Sequence, residues 1–402
     1  MKFEEIEMNP KFLEKIREHG FEELTYIQEK CIPEIQKGRD VVGQAETGSG
    51  KTLAFCLPIL DKIVPGRGIQ ALILTPTREL CVQVTEVFQD FGMSLGTKTT
   101  SVYGGVSIEA QIKNIRKADI IVGTPGRILD HLSRRTINFS DIRFLVLDET
   151  DRMLDMGFID DVDEIIRHSS RERQTLMFSA TIYEDIHHIM NKYLRNPLII
   201  KTQPYVDAKN LKQIYYDIFP SNLKFSLLVH HLKNGVSGLA IVFCGTRRES
   251  DIVARNLRYQ GINAVAIHGG MTQRKRLDSL NSLKNKKTDV LVATDVAARG
   301  LDIKGVSHIY NYDVPRTAKE YIHRIGRTAR AGENGNAITL LTQRDHNNFR
   351  RIQREYEFEI EKADMPNFRR VPFIINSEER KKPFKRYNKY PNRPHALARA
   401  RR

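Results

Sequence analysis

Two short apolar runs end in polar loops of complementary chemistry, and that pairing constrains the chain more than any other feature. Val41-Val42 leads into Ala45-Glu46-Thr47-Gly48-Ser49-Gly50-Lys51-Thr52, and Phe144-Leu145-Val146-Leu147 leads into Asp148-Glu149-Thr150-Asp151. Each reads as a strand that delivers a loop at its end. In the first loop, small residues let the backbone at Thr47, Gly48, Ser49 and Gly50 close around phosphate oxygens, and Lys51 sets a point charge against terminal phosphates. The Thr52 hydroxyl and the Asp148 carboxylate suit one Mg²⁺ ion, which leaves Glu149 as a candidate base for an attacking water. Together they form the two halves of a nucleoside-triphosphate site. The loop departs from the strict phosphate-loop pattern, because Ala45 stands where the first glycine is expected. A Gly-Ser-Gly-Lys-Thr string alone could be a surface turn. The strand before it, the helix-like Thr52–Leu60 after it and the acidic strand end argue otherwise.

Around these loops, Val/Ile/Leu runs alternate with longer amphipathic segments. The runs at 71–75, 120–123, 144–147 and 175–178 are nearly all apolar, as strands buried on both faces must be. A polar, Pro-containing stretch intervenes at Thr202–Asp207. The alternation then resumes at 240–243, 264–267, 290–293, 306–310 and 337–341. Strands alternating with helices predict an α/β fold of doubly wound parallel sheets. At 402 residues the chain is long enough for two such domains, each with its own core. We place them at 1–203 and 211–362, with a linker at 204–210. Two helices precede the first strand, from near Pro10 to Glu18 and from Thr25 to Gln36, each stopping just before a glycine (Gly20, Gly38).

Composition narrows the setting. No apolar stretch reaches the roughly 20 residues that span a bilayer, so no membrane partner is expected. The acidic start Met1-Lys2-Phe3-Glu4-Glu5 lacks the apolar segment of a secretory signal, and the four cysteines form no Cys-x-x-Cys pair. Both point to reduced thiols in a cytoplasmic protein. The net charge is +15, and twelve Lys/Arg against two Glu between 367 and 402 place +10 of it in one terminal segment. Residues 363–402 therefore read as a basic, aperiodic, disordered tail. Phe368, Phe373, Phe384, Tyr387 and Tyr390 among its cations suit stacking on a single nucleic-acid strand, the plain alternative being a solubilising tail.

The second half has no phosphate loop. It carries Thr294-Asp295 through Asp302, and His323-Arg324-Ile325-Gly326-Arg327-Thr328-Ala329-Arg330. Three-residue spacing puts Arg324, Arg327 and Arg330 on one face if that stretch is a helix. The face is either a solvated basic one or a set of arginine fingers for the triphosphate site.

Taken in order, these strings resemble the DEAD-box RNA helicases of superfamily 2, over roughly Phe3 to Lys362. The resemblance implies two tandem RecA-like domains and an RNA-stimulated ATPase that unwinds short duplexes or remodels RNA–protein complexes, with ATP and Mg²⁺ bound. It implies that Phe21 stacks on adenine, Gln28 bonds its edge, Asp302 touches the ribose, and Arg327 and Arg330 reach the γ-phosphate when the domains close. Ser179 and Thr181, with His323, would couple ATP state to RNA. The RNA contacts would be Thr77, Arg78, Gly105, Thr124, Arg127, Thr246, Gln273, Arg276 and Thr294. These residue types hold backbone without reading sequence. Three departures stand out: Thr150 where the family's name has alanine, Leu24 before Thr25 where proline is usual, and Ala329 where glycine is usual. A monomer is expected, with protein cofactors open. Two other readings stay open: an ATP-locked RNA clamp, and a DNA-translocating helicase. The Phe21/Gln28 pair, Ser179-Ala180-Thr181 and the lack of large insertions argue against the second.

Overall fold

The computed structural model describes residues 1–375 apart from 46–47, 183, 203–209, 237, 299–302, 304, 330–333 and 356–359. The predicted linker therefore lies almost entirely outside the described residues, as do Thr47, Asp302 and Arg330 among the candidate site residues and 376–402 of the tail.

The first sheet holds β1 (Val41–Gln44), β2 (Ala71–Leu74), β3 (Thr99–Val102), β4 (Ile120–Gly123), β5 (Phe144–Leu147), β6 (Gln174–Ser179) and β7 (Leu198–Lys201). The second holds β8 (Leu211–Asp217), β9 (Leu239–Phe243), β10 (Ala264–Ile267), β11 (Val290–Ala293), β12 (Val306–Asn311), β13 (Gly335–Leu341) and β14 (Glu361–Lys362). Every pairing is parallel. The strand orders are β3-β4-β2-β5-β6-β1-β7 and β10-β11-β9-β12-β13-β8-β14. The second is the first with seven added to every strand number, so the two sheets are the same topology used twice.

Helices cover both sheet faces, which is why the strands read as unbroken apolar runs. Along β5, Phe144 and Val146 join one core cluster, and Leu145 and Leu147 join the other. The N-terminal helices run Pro10–Glu18 and Tyr26–Gln36, and Thr25 caps the second. Leu24 is buried in the first core, and its N–H donates to the Met1 carbonyl, a bond that proline could not make. The four cysteines are free and buried, and burial pushes the Cys31 and Cys81 thiols up to about 12.

The tail begins later than its charge pattern predicts. Residues 363–375 pack over the second domain instead of leaving it. The Phe373 ring packs 4.8 Å from that of Phe225, and Phe368 and Val371 join the same cluster. Val371 N–H donates to Ser226 Oγ (3.1 Å), and Ile374 N–H donates to Asn256 Oδ1 (2.8 Å). Phe368 and Phe373 are thus core-covering side chains rather than stacking platforms, because intervening arginines masked a short apolar pattern.

One buried group in this domain gives a pH dependence. His231 sits between the rings of Tyr216 (5.1 Å) and Tyr310 (6.2 Å). Burial, reinforced by His230 and His308, lowers its pKa to about 4. An unfolded histidine titrates near 6.5, so the unfolded chain takes up the proton first. Stability of the second domain should therefore fall as pH drops from about 6.5 towards about 4. Thermal melts of the wild type and His231→Asn across that range check this. The wild-type slope should flatten in the variant, and parallel curves would refute the assignment.

Candidate active site and RNA-facing edge

The described site loops leave the C-terminal ends of the strands, the edge on which open parallel sheets bind ligands. After β1, Gly48 and Gly50 adopt φ of +89° and +90°, which side chains resist. A Cβ at Gly50 would also lie 2.4 Å from Gln28 Nε2. The helix Lys51–Lys62 begins there, with its first N–H groups turned to the loop. Lys51 is buried and donates to the Ala45 carbonyl at 2.6 Å. Gln28 is pinned at both ends of its amide: Oε1 accepts from Thr25 N–H (2.9 Å) and Nε2 donates to the Gly50 carbonyl (3.1 Å). It thereby joins the N-terminal helix to the phosphate loop. Phe21 stacks on His19 (5.6 Å), which stacks in turn on Phe91 (5.6 Å) and bonds Asp90. A cavity of about 850 Å³ opens beside Phe21, Gln28, Lys51, Thr52 and Glu149, and is walled across the domain boundary by Leu239, Leu280, Leu283 and Ile303.

At the end of β5 the two acids are tuned in opposite directions. Burial pushes Asp148 up to about 7, with Lys51 working against the shift and Glu149 and Asp151 adding to it. Burial also opposes ionisation of Glu149, but Arg152, Lys51 and Arg327 outweigh it and hold that carboxyl below the usual range. Arg152 is the direct partner, at 3.1 Å. Glu149 itself sits at φ +52°, a left-handed conformation that turns its side chain out of the strand direction. The two neighbouring acids are thus driven apart in pKa, the one towards the neutral form and the other towards the ionised form.

Thr150 is fully buried, and its hydroxyl is within donating distance of the carbonyls of Leu147 (3.2 Å) and Phe178 (3.3 Å), tying β5 to β6. Asp151 accepts from both the N–H (3.1 Å) and the hydroxyl (2.9 Å) of Thr181, while Ser179 Oγ donates to the Thr181 carbonyl (2.7 Å). The acidic tetrad and Ser179-Ala180-Thr181 are therefore one hydrogen-bonded unit.

In the second domain the predicted arginine face does not form. The helix Ala318–Ile325 ends at Gly326, so Arg327 follows it instead of continuing it. Arg324 turns inward: it grips Asp295 with two bonds (2.6 and 2.8 Å) and donates to Asn311 Oδ1 and the Asp313 carbonyl. That is a structural clamp. Arg327 is buried, donates to the His323 carbonyl (3.3 Å), and lies near enough to Glu149 to lower its pKa across the domain boundary. Ala329 adopts φ +53°, which explains the usual glycine; the left-handed conformation costs an alanine about 1–2 kcal/mol.

Both domains build the same edge. Thr77 caps the helix Arg78–Gly92, and the Arg78 guanidinium lies on Gly104-Gly105, where a Cβ on Gly105 would stand 2.3 Å from it. Thr246 caps the helix Arg247–Tyr259, and Arg247 lies in the same way on Gly269-Gly270. Thr124 immediately precedes the helix Pro125–Ser133, from which Arg127 reaches the Val106 carbonyl and Gln111. Thr294 follows β11 as Thr124 follows β4. Arg247, absent from the sequence-based set, is thus the counterpart of Arg78, visible only once strand order aligns the halves. Gln273 and Arg276, expected on RNA, instead have a protein partner. They donate to the two carboxylate oxygens of buried Glu79 in the first domain, at 3.0 and 2.9 Å. Lys319 pairs with Asp155 across the same boundary (2.9 Å).

Fold and site define a triphosphate-binding protein of two tandem RecA-like domains. Residues 25–189 match the DEAD/DEAH box helicase family and residues 223–332 the helicase conserved C-terminal domain. The chain is 46% identical over 347 residues to the ATP-dependent RNA helicase CshA of Listeria monocytogenes, spanning 86% of this chain and 66% of that protein. It is 42% identical to the DEAD-box ATP-dependent RNA helicase CshA of Geobacillus kaustophilus, spanning 90% and 78%. Among solved structures, S. cerevisiae Dbp5 bound to RNA and ADP BeF3 superposes with a TM-score of 0.81 at 31% identity, covering 90% of this chain and 95% of that one. The chain belongs to the DEAD-box ATP-dependent RNA helicases.

Proposed function

We propose that the chain hydrolyses ATP only when RNA draws its two domains together, and that this closure distorts and locally melts short duplexes. The observation that carries the reading is Arg327, a second-domain cation whose charge is felt at Glu149 in the first. Phe21 offers a face for adenine. Lys51 exchanges the Ala45 carbonyl for the phosphates. Glu149, ionised and oriented by Arg152, accepts the proton of the attacking water. Arg327, with Arg330, meets the charge that develops on the γ-phosphate. Thr52 and Asp148 would hold Mg²⁺, and a buried carboxylate with its pKa near 7 is a site short of positive charge. Bound there, the ion would supply charge neutralisation at the phosphates.

Ser179-Ala180-Thr181, bonded to Asp151, carries the state of the acid pair towards the RNA edge. There Thr77, Arg78, Gly105, Thr124, Arg127, Thr246 and Thr294 suit a sequence-independent grip on phosphates and sugars, with Arg247 added. We read Gln273 and Arg276 as pins of the closed arrangement through Glu79. The tail from 376 onward is a nonspecific RNA tether, and the working unit is a cytoplasmic monomer.

The test is steady-state ATPase at saturating ATP with and without single-stranded RNA, paired with strand separation of a short duplex. Turnover should rise on the order of tenfold or more with RNA. An RNA-independent rate would overturn the closure reading.

A further inference from the structure

The opposite edge of the first domain, at the N-terminal ends of β1, β5, β6 and β7, holds a cleft of about 960 Å³. Arg39, Lys62, Arg143, Arg173 and Arg195 line it. Some exposed cations elsewhere on this domain pair with carboxylates: Lys15 with Glu18 and Asp90, Arg134 with Asp130, Arg167 with Asp163. In the cleft the hydrogen-bond partners are backbone carbonyls. Lys62 donates to the Gln36 carbonyl (2.6 Å), Arg143 to that of Lys62 (2.9 Å), Arg173 to that of Ser170 (2.6 Å), and Arg195 to that of Arg171. Of the five, only Arg39 has an acidic partner among the described residues, Glu34 at 2.9 Å.

The buried acid at the cleft, Asp40, forms no side-chain ion pair with them and offsets the charge of Arg173 only in part. Its oxygens are taken by the N–H groups of Thr175 (2.8 Å) and Arg195 (2.7 Å). Asp141 and Glu172, at the rim, are exposed. Desolvation and the neighbouring Arg195 depress the Arg173 pKa, and desolvation and Arg143 depress that of Lys62. Arg173 Nε is buried without a hydrogen-bond partner. The Arg143 guanidinium is steadied over the Phe144 ring, 5.7 Å from its centre. Crowded like charges, four of the five held in place by backbone carbonyls rather than by a carboxylate at hydrogen-bond distance, are arranged for an anion from outside. Planar guanidinium forks match the oxygens of phosphate.

We propose that this cleft is a second phosphate-binding site of the first domain, which holds the backbone of RNA flanking the strand gripped at the motif edge. It rests on the RNA-binding reading above. The sheet between the two edges is about 13 Å deep, four residues at roughly 3.3 Å each, and a flanking segment of the same RNA would pass around the domain from one edge to the other. Such a site would let the helicase favour structured or long RNA over a minimal strand without reading sequence.

The test uses the full chain and the double variant Arg143→Gln/Arg195→Gln, in which both residues keep their main-chain N–H bonds, to the Gln70 carbonyl and to Asp40. Binding of a labelled hairpin with a single-stranded extension, and of a hexanucleotide, is measured by anisotropy with AMP-PNP across a salt series. The variant should bind the extended hairpin about tenfold more weakly with a salt slope reduced by about 1.4, two contacts at roughly 0.7 each. Hexanucleotide affinity and hexanucleotide-stimulated ATPase should not change. Equal loss for both RNAs would place the effect at the motif edge and overturn the proposal. A second arm titrates tripolyphosphate into ADP-saturated protein. Binding lost only in the variant, with hairpin affinity intact, would assign the cleft to a free polyphosphate. No difference in either arm would remove the site. A wild type whose ATPase ignores RNA would instead fail the underlying functional reading.

Discussion

Glu149→Gln is expected to cut RNA-stimulated ATP turnover by about 10²–10⁴ while leaving ATP affinity nearly intact, the range that loss of a positioned general base produces. The geometry makes this substitution a clean one. Glutamine keeps the length of the side chain and can adopt the same left-handed backbone, φ +52°. Its amide oxygen can still accept from Arg152, which stands 3.1 Å from the native carboxylate. What it cannot do is take a proton. Asp148, pushed up to about 7 by burial, keeps its place beside Lys51. The variant should bind ATP, close on RNA and stall there, so dissociation from labelled RNA should slow in ATP and recover in ADP. The two measurements are single-turnover hydrolysis and nucleotide binding by anisotropy. Turnover within a few-fold of wild type would show that another group activates the water. A parallel collapse of nucleotide affinity would show that Glu149 serves the pocket rather than the reaction.

The elements that sequence discloses best are those buried on both sides. β4, β5 and β11 begin and end where their apolar runs do, since helices on both faces remove any reason for alternation. β3, Thr99–Val102, is invisible by that criterion, because its three hydroxyl residues pack at a sheet edge. The phosphate loop, acidic pair and caps are local chemistry and could be found from local strings. Contacts between distant residues could not. Nothing near Gln273 or Arg276 discloses that Glu79, some two hundred positions earlier, faces both. Arg324 and Arg327 share a motif yet part company at Gly326, a helix stop that outranks three-residue spacing. The strap at 363–375 hid in plain charge: Phe368, Val371 and Phe373 pack on the second domain's core, Val371 and Phe373 at the two-residue spacing of one strand face, but Arg369 and Arg370 between them hide the pattern.

Arg327→Ala should lower kcat by about 10³ or more with little change in KM for ATP, the signature of a contact made mainly in the transition state. The native structure already shows why ground-state binding would survive. Arg327 lies in the second domain, donates to the His323 carbonyl, and its charge is felt at Glu149 in the first. On the function proposed above, adenine and phosphate contacts would come from Phe21, Gln28, Lys51 and Thr52, all in the first domain. A structural role predicts something else. The residue is buried, so its loss could loosen the turn after Ile325 and lower the melting temperature of the second domain. Arg327→Lys separates the two roles. It keeps a cation and a donor on a long stem but loses the planar fork, so it should restore the melting temperature while recovering only part of kcat. RNA affinity in AMP-PNP, a readout of closure, should stay near wild type in both variants. Should kcat and KM suffer equally, or should lysine restore full turnover, the finger assignment fails, and Arg327 belongs with Arg324 among the residues that hold the second domain together.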